Sequence, residues 1–184
     1  MLEVISGLVF DLGYGGFFLY MVVVGTFIPL PTQLILLPAG YLISQGKLDA
    51  VMIILVTASG TTLGAFINYN LANYISKRFI SPDKINKIEH FFNKYGKFSV
   101  FLAPLSFGLG QYISLPAGMA KMDLRWFIPL IFISNSLWNI AMLLLGYFFG
   151  NEANSYVGYI IGGGTVIIVL TISIFVYREF KSYR

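Results

Sequence analysis

The chain has 184 residues, 57% of them hydrophobic and 11% charged, with a formal net charge of +4. Soluble domains run at roughly 45–50% apolar and about 25% charged, so a water-soluble domain is excluded and one integral membrane domain over residues 1–184 is expected. The lack of cysteine rules out disulfides, thiolate metal sites and Cys-borne lipid anchors, and the charges flank apolar segments instead of forming a nucleic-acid patch.

Residues 1–16 carry Glu3 and Asp11 but no Lys or Arg before the apolar part, unlike the positive n-region of a secretory signal, so this start is expected to stay on the mature protein. The apolar block 17–44 follows. Pro29, Pro31 and Pro38 are expected to break it as helix-breaking residues of a hairpin. Residues 50–76 are proline-free and long enough to cross roughly 30 Å of hydrocarbon. In the linker 81–97, Ile85, Ile88, Phe91 and Phe92 recur at helical spacing among Lys84, Lys87 and Lys94. That pattern predicts an amphipathic helix on an anionic leaflet, with partner binding as the rival role. Block 98–120 is again expected to be broken, by Pro104, Gly108, Gly110 and Pro116. The tract 126–177 divides near GNEANS into a span ending near 150 and a final span, 155–177, before a basic tail, 178–184.

The tetrapeptide LPAG occurs at 37–40 and again at 115–118, each time late in a broken block and before a clean helix. This predicts an internal repeat. If 98–120 crossed the membrane, Lys and Arg would split six to each face. If it turns back, eleven share one face and only Lys47 lies opposite, the positive-inside pattern. Both broken blocks are therefore expected to be re-entrant hairpins of inverted topology (17–76, first hairpin plus span; 98–150, second hairpin plus span). Non-helical backbone at membrane depth must be buried in protein or line a watered cavity, so a polar cavity between the hairpins is expected.

These segments resemble the DedA membrane proteins with the VTT (SNARE-associated) domain over most of the chain. FIPLPTQLILLPAGYL is similar to that family's first hairpin, FIPxPSExxxxPAGYL. GTTLGAFINYNLANY resembles its following helix, residues 91–121 its second hairpin, and WNIAMLLLGYFFG its tryptophan-bearing span. The resemblance implies an inner-membrane lipid transporter, scramblase or flippase, acting on phospholipid or undecaprenyl phosphate, whose hairpin carboxylates and arginines serve proton coupling and head-group binding. The sequence departs from the family there: Gln33 and Val24 stand where glutamates lie, Pro104 and Gly110 where the arginines lie, and Phe107 replaces the proline between them. Neutral residues neither exchange protons near working pH nor grip phosphate bidentately, so proton coupling is not expected to carry over.

Candidate lipid-binding residues are Thr32 and Gln33 after the Pro31 break, Gln111 beside the flexible glycines, Asn68 and Tyr69 in the first clean span, and Asn135, Trp138 and Asn139 on the next. Thr32 is a candidate helix cap. For the polar side chains on the spans the competing role is interhelical hydrogen bonding. Gly60 with Gly64, and Gly158 with Gly162, have small-xxx-small spacing and are assigned to packing, and GGGT at 162–165 lacks the context of a phosphate loop. His90 is the only histidine, so no catalytic residue, metal site or cofactor is expected. The expected class is an all-α polytopic membrane protein with two hairpins, about three transmembrane helices and a linker helix. Its expected partners are membrane lipids and not nucleic acid, with a homo-oligomer left open. The rival is a non-transporting DedA-like scaffold or partner-binding protein.

Overall fold

Why α2 stops where it does is legible in its ends: Gly13 (φ +57°) turns the chain into the helix, and Thr26 leaves it in extended conformation. The computed structural model describes residues 2–26, 28, 30–79, 90, 95–104 and 113–149. Pro29, Gly108, Gly110, Gln111, most of the 81–97 linker, the glycines at 158 and 162, the 155–177 span and the tail lie outside the described residues. Among the described residues every regular element is an α-helix: α1 (Leu2–Asp11), α2 (Gly13–Gly25), α3 (Gln33–Ser44), α4 (Ala50–Phe79), α5 (95–102), α6 (Ser114–Met119) and α7 (Leu124–Phe149). Within these, Ala50–Ala72 and Leu124–Phe149 are long and apolar enough to cross a membrane. Leu19, Leu55, Leu63, Leu137, Leu144 and Phe148 are exposed on their outer faces. Such a surface suits lipid and not water.

Chain direction follows from who touches whom. Gly60 packs on Phe18 and Met21, and Gly64 on Val22 and Gly25, so α2 runs parallel to α4 and stops level with its middle. The Asp49 N–H donates to the Tyr14 hydroxyl at 3.1 Å, so the turn leaving α3 returns to where α2 began. At 13 and 12 residues, α2 and α3 are roughly 20 and 18 Å long, each short of a 30 Å crossing.

The second half repeats this plan. Lys97 places its Nζ 3.2 Å from the ring centroid of Trp126, and the Ser134 hydroxyl donates to the Phe101 carbonyl, so α5 runs parallel to α7. The Tyr69 hydroxyl donates to the Met122 carbonyl (2.5 Å) while the Asn139 amide donates to the Thr57 hydroxyl (3.0 Å), so α7 runs antiparallel to α4. One end of the bundle therefore gathers Lys97, Lys121 and Arg125, and the other Lys47 and Asp49. α3 and α6 end alike, each in a Schellman turn. Gly46 (φ +69°) and Lys121 (φ 51°) take the left-handed position, with Lys47 N–H bonded to Leu42 O and Met122 N–H to Ala117 O.

The two LPAG helices dock crosswise. A Cβ on Gly40 would collide with the Leu143 carbonyl and sit 2.9 Å from the Gly146 Cα; one on Gly118 would collide with the Tyr69 carbonyl and sit 2.7 Å from the Ala72 Cβ. Each repeat glycine thus sits on the long helix of the other half.

Two expectations about proline need correction. Pro38 breaks nothing: it lies inside α3, where its missing N–H costs one bond to the i−4 carbonyl without ending the helix. Pro116 is the third residue of α6, in a first turn whose N–H groups have no intrahelical acceptor, so it favours the helix it was expected to break. Pro31 and Pro104 do fall where helix is lost, Pro31 just before α3 and Pro104 just after α5.

Candidate functional site

The site is built where α2 ends and α3 begins, beside the middle of α4 and α7. The Pro31 carbonyl accepts twice, from the Leu34 N–H at 3.3 Å and from the Tyr20 hydroxyl at 3.0 Å, which ties α2 to the start of α3. Thr32 occupies the N-cap position of α3 but does not cap with its side chain, which corrects the expected role. Its backbone is right-handed helical (φ −60°, ψ −31°), whereas side-chain capping needs an extended residue there. The N–H groups of Leu34, Ile35 and Leu36 bond instead to the Pro31 and Thr32 carbonyls, so they are not open donors at this dipole end.

Thr32 uses its hydroxyl differently. It accepts from the Trp138 Nε1–H at 3.4 Å and faces the Gln33 Oε1 at 3.4 Å as donor, joining three predicted residues in one chain across 106 positions of sequence. The next residue on α7, the buried Asn139, reaches Thr57 on α4. Thr57 itself donates to the Ile53 carbonyl at 2.6 Å, so its oxygen is the acceptor that Asn139 needs. Asn135 lies on the same face but turns back on its own helix, giving its amide to Ile131 O at 2.9 Å.

Asn68 is 0% exposed and bridges the two halves: its amide donates to the Gly25 carbonyl at the end of α2 (3.3 Å) and to the Ser114 hydroxyl at the start of α6 (3.2 Å). Its Oδ1 is buried with no hydrogen-bond partner. An unmet buried acceptor costs about 1–3 kcal/mol, so the bridge is held against a standing penalty. Tyr69 is not brought to this site. It faces the basic end, bonded to Met122 O and tilted against Phe127 with ring centroids 5.0 Å apart.

The arrangement is electrically neutral throughout. Residues 12–46, 50–76, 98–120 and 126–151 contain no Asp, Glu, Lys or Arg, so every polar group at this depth is a hydroxyl, amide, indole or backbone group. These can hold a polar or zwitterionic group by hydrogen bonds, or each other. Tyr20, Thr57, Ser114 and Ser134 were missed by sequence reasoning. The spacing of Thr57 and Thr61, one turn apart with both hydroxyls bonded to the i−4 carbonyl, was the one available signal.

A family model described as the VTT domain matches residues 30–148. An alkaline phosphatase-like protein of Lactococcus lactis subsp. lactis (strain IL1403) is 28% identical, over 98% of this chain and 94% of that protein. Proteins named undecaprenyl phosphate transporter A match as well: that of Bacillus subtilis (strain 168) is 27% identical over 77% of this chain and 74% of its own, and that of Staphylococcus aureus (strain NCTC 8325 / PS 47) is 24% identical over 79% and 78%. No solved structure matches.

Proposed function

The chain belongs to the VTT domain family, the DedA membrane proteins, and from that premise we propose that it moves lipid, phospholipid or undecaprenyl phosphate, between leaflets. The transporter names of the Bacillus and Staphylococcus relatives support this reading. So does the chain Trp138–Thr32–Gln33, which puts donors and acceptors of both halves beside the end of α2, midway along the long helices. That single observation carries it. A path of neutral groups offers no proton carrier, which favours a scramblase or facilitator over a pump.

In this reading α2–α3 and α5–α6 are re-entrant hairpins entering from opposite faces, in a multi-pass protein of the plasma (inner) membrane. The end bearing Lys97, Lys121 and Arg125 is cytoplasmic, with the 178–184 tail. Cysteine accessibility in the otherwise Cys-free chain tests this. Lys97→Cys and Lys121→Cys are expected to label from one face and Lys47→Cys from the other. Labelling of the first two from opposite faces removes the hairpin.

Transport itself is tested by fluorescent-lipid flip in proteoliposomes. The wild type is expected to exceed empty liposomes, and Gln33→Leu to lower the rate about fivefold, as loss of one path hydrogen bond worth about 1 kcal/mol implies. No rate above empty liposomes across several head groups rejects the reading. The second reading, a non-transporting scaffold, is favoured by the loss of charge at Val24, Gln33, Pro104 and Gly110. It predicts a phenotype that follows linker mutations and ignores Gln33→Ala. The reading follows the transporter names of the Bacillus and Staphylococcus relatives and not the phosphatase-like name of the Lactococcus one.

A further inference from the structure

The contacts divide the described helices in a way the sequence order does not. α2 lies against α4 through Gly25, Gly60 and Gly64, where the atoms nearest each glycine across the contact are backbone and the Met21 Cβ. α6 lies against α4 in the same manner through Gly118, and Asn68 ties all three together by donating to Gly25 O and Ser114 Oγ. α3, by contrast, lies against α7, where Gly40 meets Gly146. α5 joins that pair through the Ser134–Phe101 bond and through Val100 beside Phe127 and Ile131, in a cluster whose far side is closed by Ala65 of α4 and Ala117 of α6, and Trp138 ties α3 to α7 through Thr32.

Between these groups the contacts are of another kind. Phe17, Met21 and Val24 of α2 share an apolar cluster with Ile35, Leu36 and Ala39 of α3, Asn139 reaches Thr57, and the Tyr69 side chain of α4 lies against Phe127 and donates to the Met122 carbonyl. Backbone packed on backbone through glycine fixes helices against sliding, whereas interdigitated side chains can repack in small shear steps.

We infer that the protein works as two interleaved bodies, one made of α2, α4 and α6 and the other of α5, α7 and α3, so that the two arms of the first hairpin belong to different bodies. Each body contains one arm and the long helix of its own half plus the returning arm of the other half. The connection from Gly25 to Gln33 crosses between bodies, and movement of one body against the other changes the spacing of α2 and α3 while leaving α2–α4 and α3–α7 fixed. The inference rests on the transport reading for its purpose, and on the packing alone for its geometry.

Spin labels on exposed positions test the geometry in nanodiscs of 3:1 phosphatidylethanolamine and phosphatidylglycerol. Leu19→Cys with Leu63→Cys (α2–α4) and Ser44→Cys with Leu144→Cys (α3–α7) are expected to give single narrow distance distributions. Leu19→Cys with Ser44→Cys (α2–α3) is expected to give a broad or double one. A narrow α2–α3 distribution, or a broad one for either of the other pairs, overturns the inference. A functional arm uses the disulfide of Thr57→Cys with Asn139→Cys, which links the bodies. Oxidation is expected to lower lipid flip about tenfold or more against the reduced form of the same variant, with recovery on reduction; an unchanged rate also overturns the inference. If the wild type flips no lipid, the transport reading fails while the spin-label distances still decide the bodies.

Discussion

Gly146→Leu is expected to destabilise the protein by about 3 kcal/mol or more, the upper range for overpacking, because nothing at the contact can yield cheaply. A Cβ there would collide with the Leu37 carbonyl oxygen and stand 2.9 Å from its carbon and 3.0 Å from its Cα, all of it backbone. Relief requires α3 to move off α7. For a chain of this length about 1 kcal/mol shifts the melting midpoint by roughly 2–4 °C, so a drop of roughly 6–12 °C in detergent is the expected readout. Ala141→Leu, on the exposed side of the same helix, is the control and should leave the midpoint nearly unchanged. Gly40→Val attacks the same contact from the other side, so the double variant should cost much less than the sum of the two. Full additivity would mean the two glycines do not share one contact.

Asn68→Asp is expected to be strongly destabilising although it is isosteric. The side chain is fully buried, and no Lys or Arg lies in residues 50–76 or in the facing segments to compensate a carboxylate. Desolvation opposes ionisation in such surroundings, so the folded protein would keep the introduced carboxyl neutral over a range where the unfolded chain ionises. The sign of the pH dependence follows. Below the unfolded value of about 3.9 both states are protonated and no penalty applies. As pH rises above that value the unfolded chain gains by ionising and the folded chain does not, so stability falls until the folded protein also releases the proton. Melting midpoints of Asn68→Asp should therefore approach those of the wild type toward pH 4 and drop toward pH 8. Asn68→Leu removes the same hydrogen bonds without a titrating group and should be destabilised evenly across that range. A pH-independent midpoint for Asn68→Asp would place the residue in contact with water.

Much of the fold was visible in the chain because its signals were local. Prolines at 31 and 104 marked where helix is lost, and LPAG marked two equivalent helices. Gly60 and Gly64 at i, i+4 marked a close helix contact, which α2 fills. What could not be read was which surface meets which. The repeat glycines Gly40 and Gly118 are each seated on the opposite half, and no periodicity within α3 or α6 encodes that choice. α1 was missed because ten residues with Glu3, Asp11 and Gly7 do not look like a stable helix alone. The polar residues divided similarly. Asn68, Asn139, Trp138, Thr32 and Gln33 stood out as polar groups in apolar surroundings, and the structure gives all but Asn68 a place in the Thr32–Trp138 and Thr57–Asn139 links. Thr57 and Ser134 were passed over because a hydroxyl in a helix can satisfy itself on the preceding turn, so their presence announces no partner.

The crosswise seating of Gly40 on Gly146 also sets an order of events during synthesis. α3 leaves the ribosome about a hundred residues ahead of the surface Gly40 will rest on, and until α7 has been inserted that apolar helix, too short to span a bilayer, has only its side-chain contacts with α2 to hold it. The first hairpin is therefore the last part of the N-terminal half to mature, and a nascent chain halted before Leu124 should remain open to protease at the Gly25–Gln33 connection.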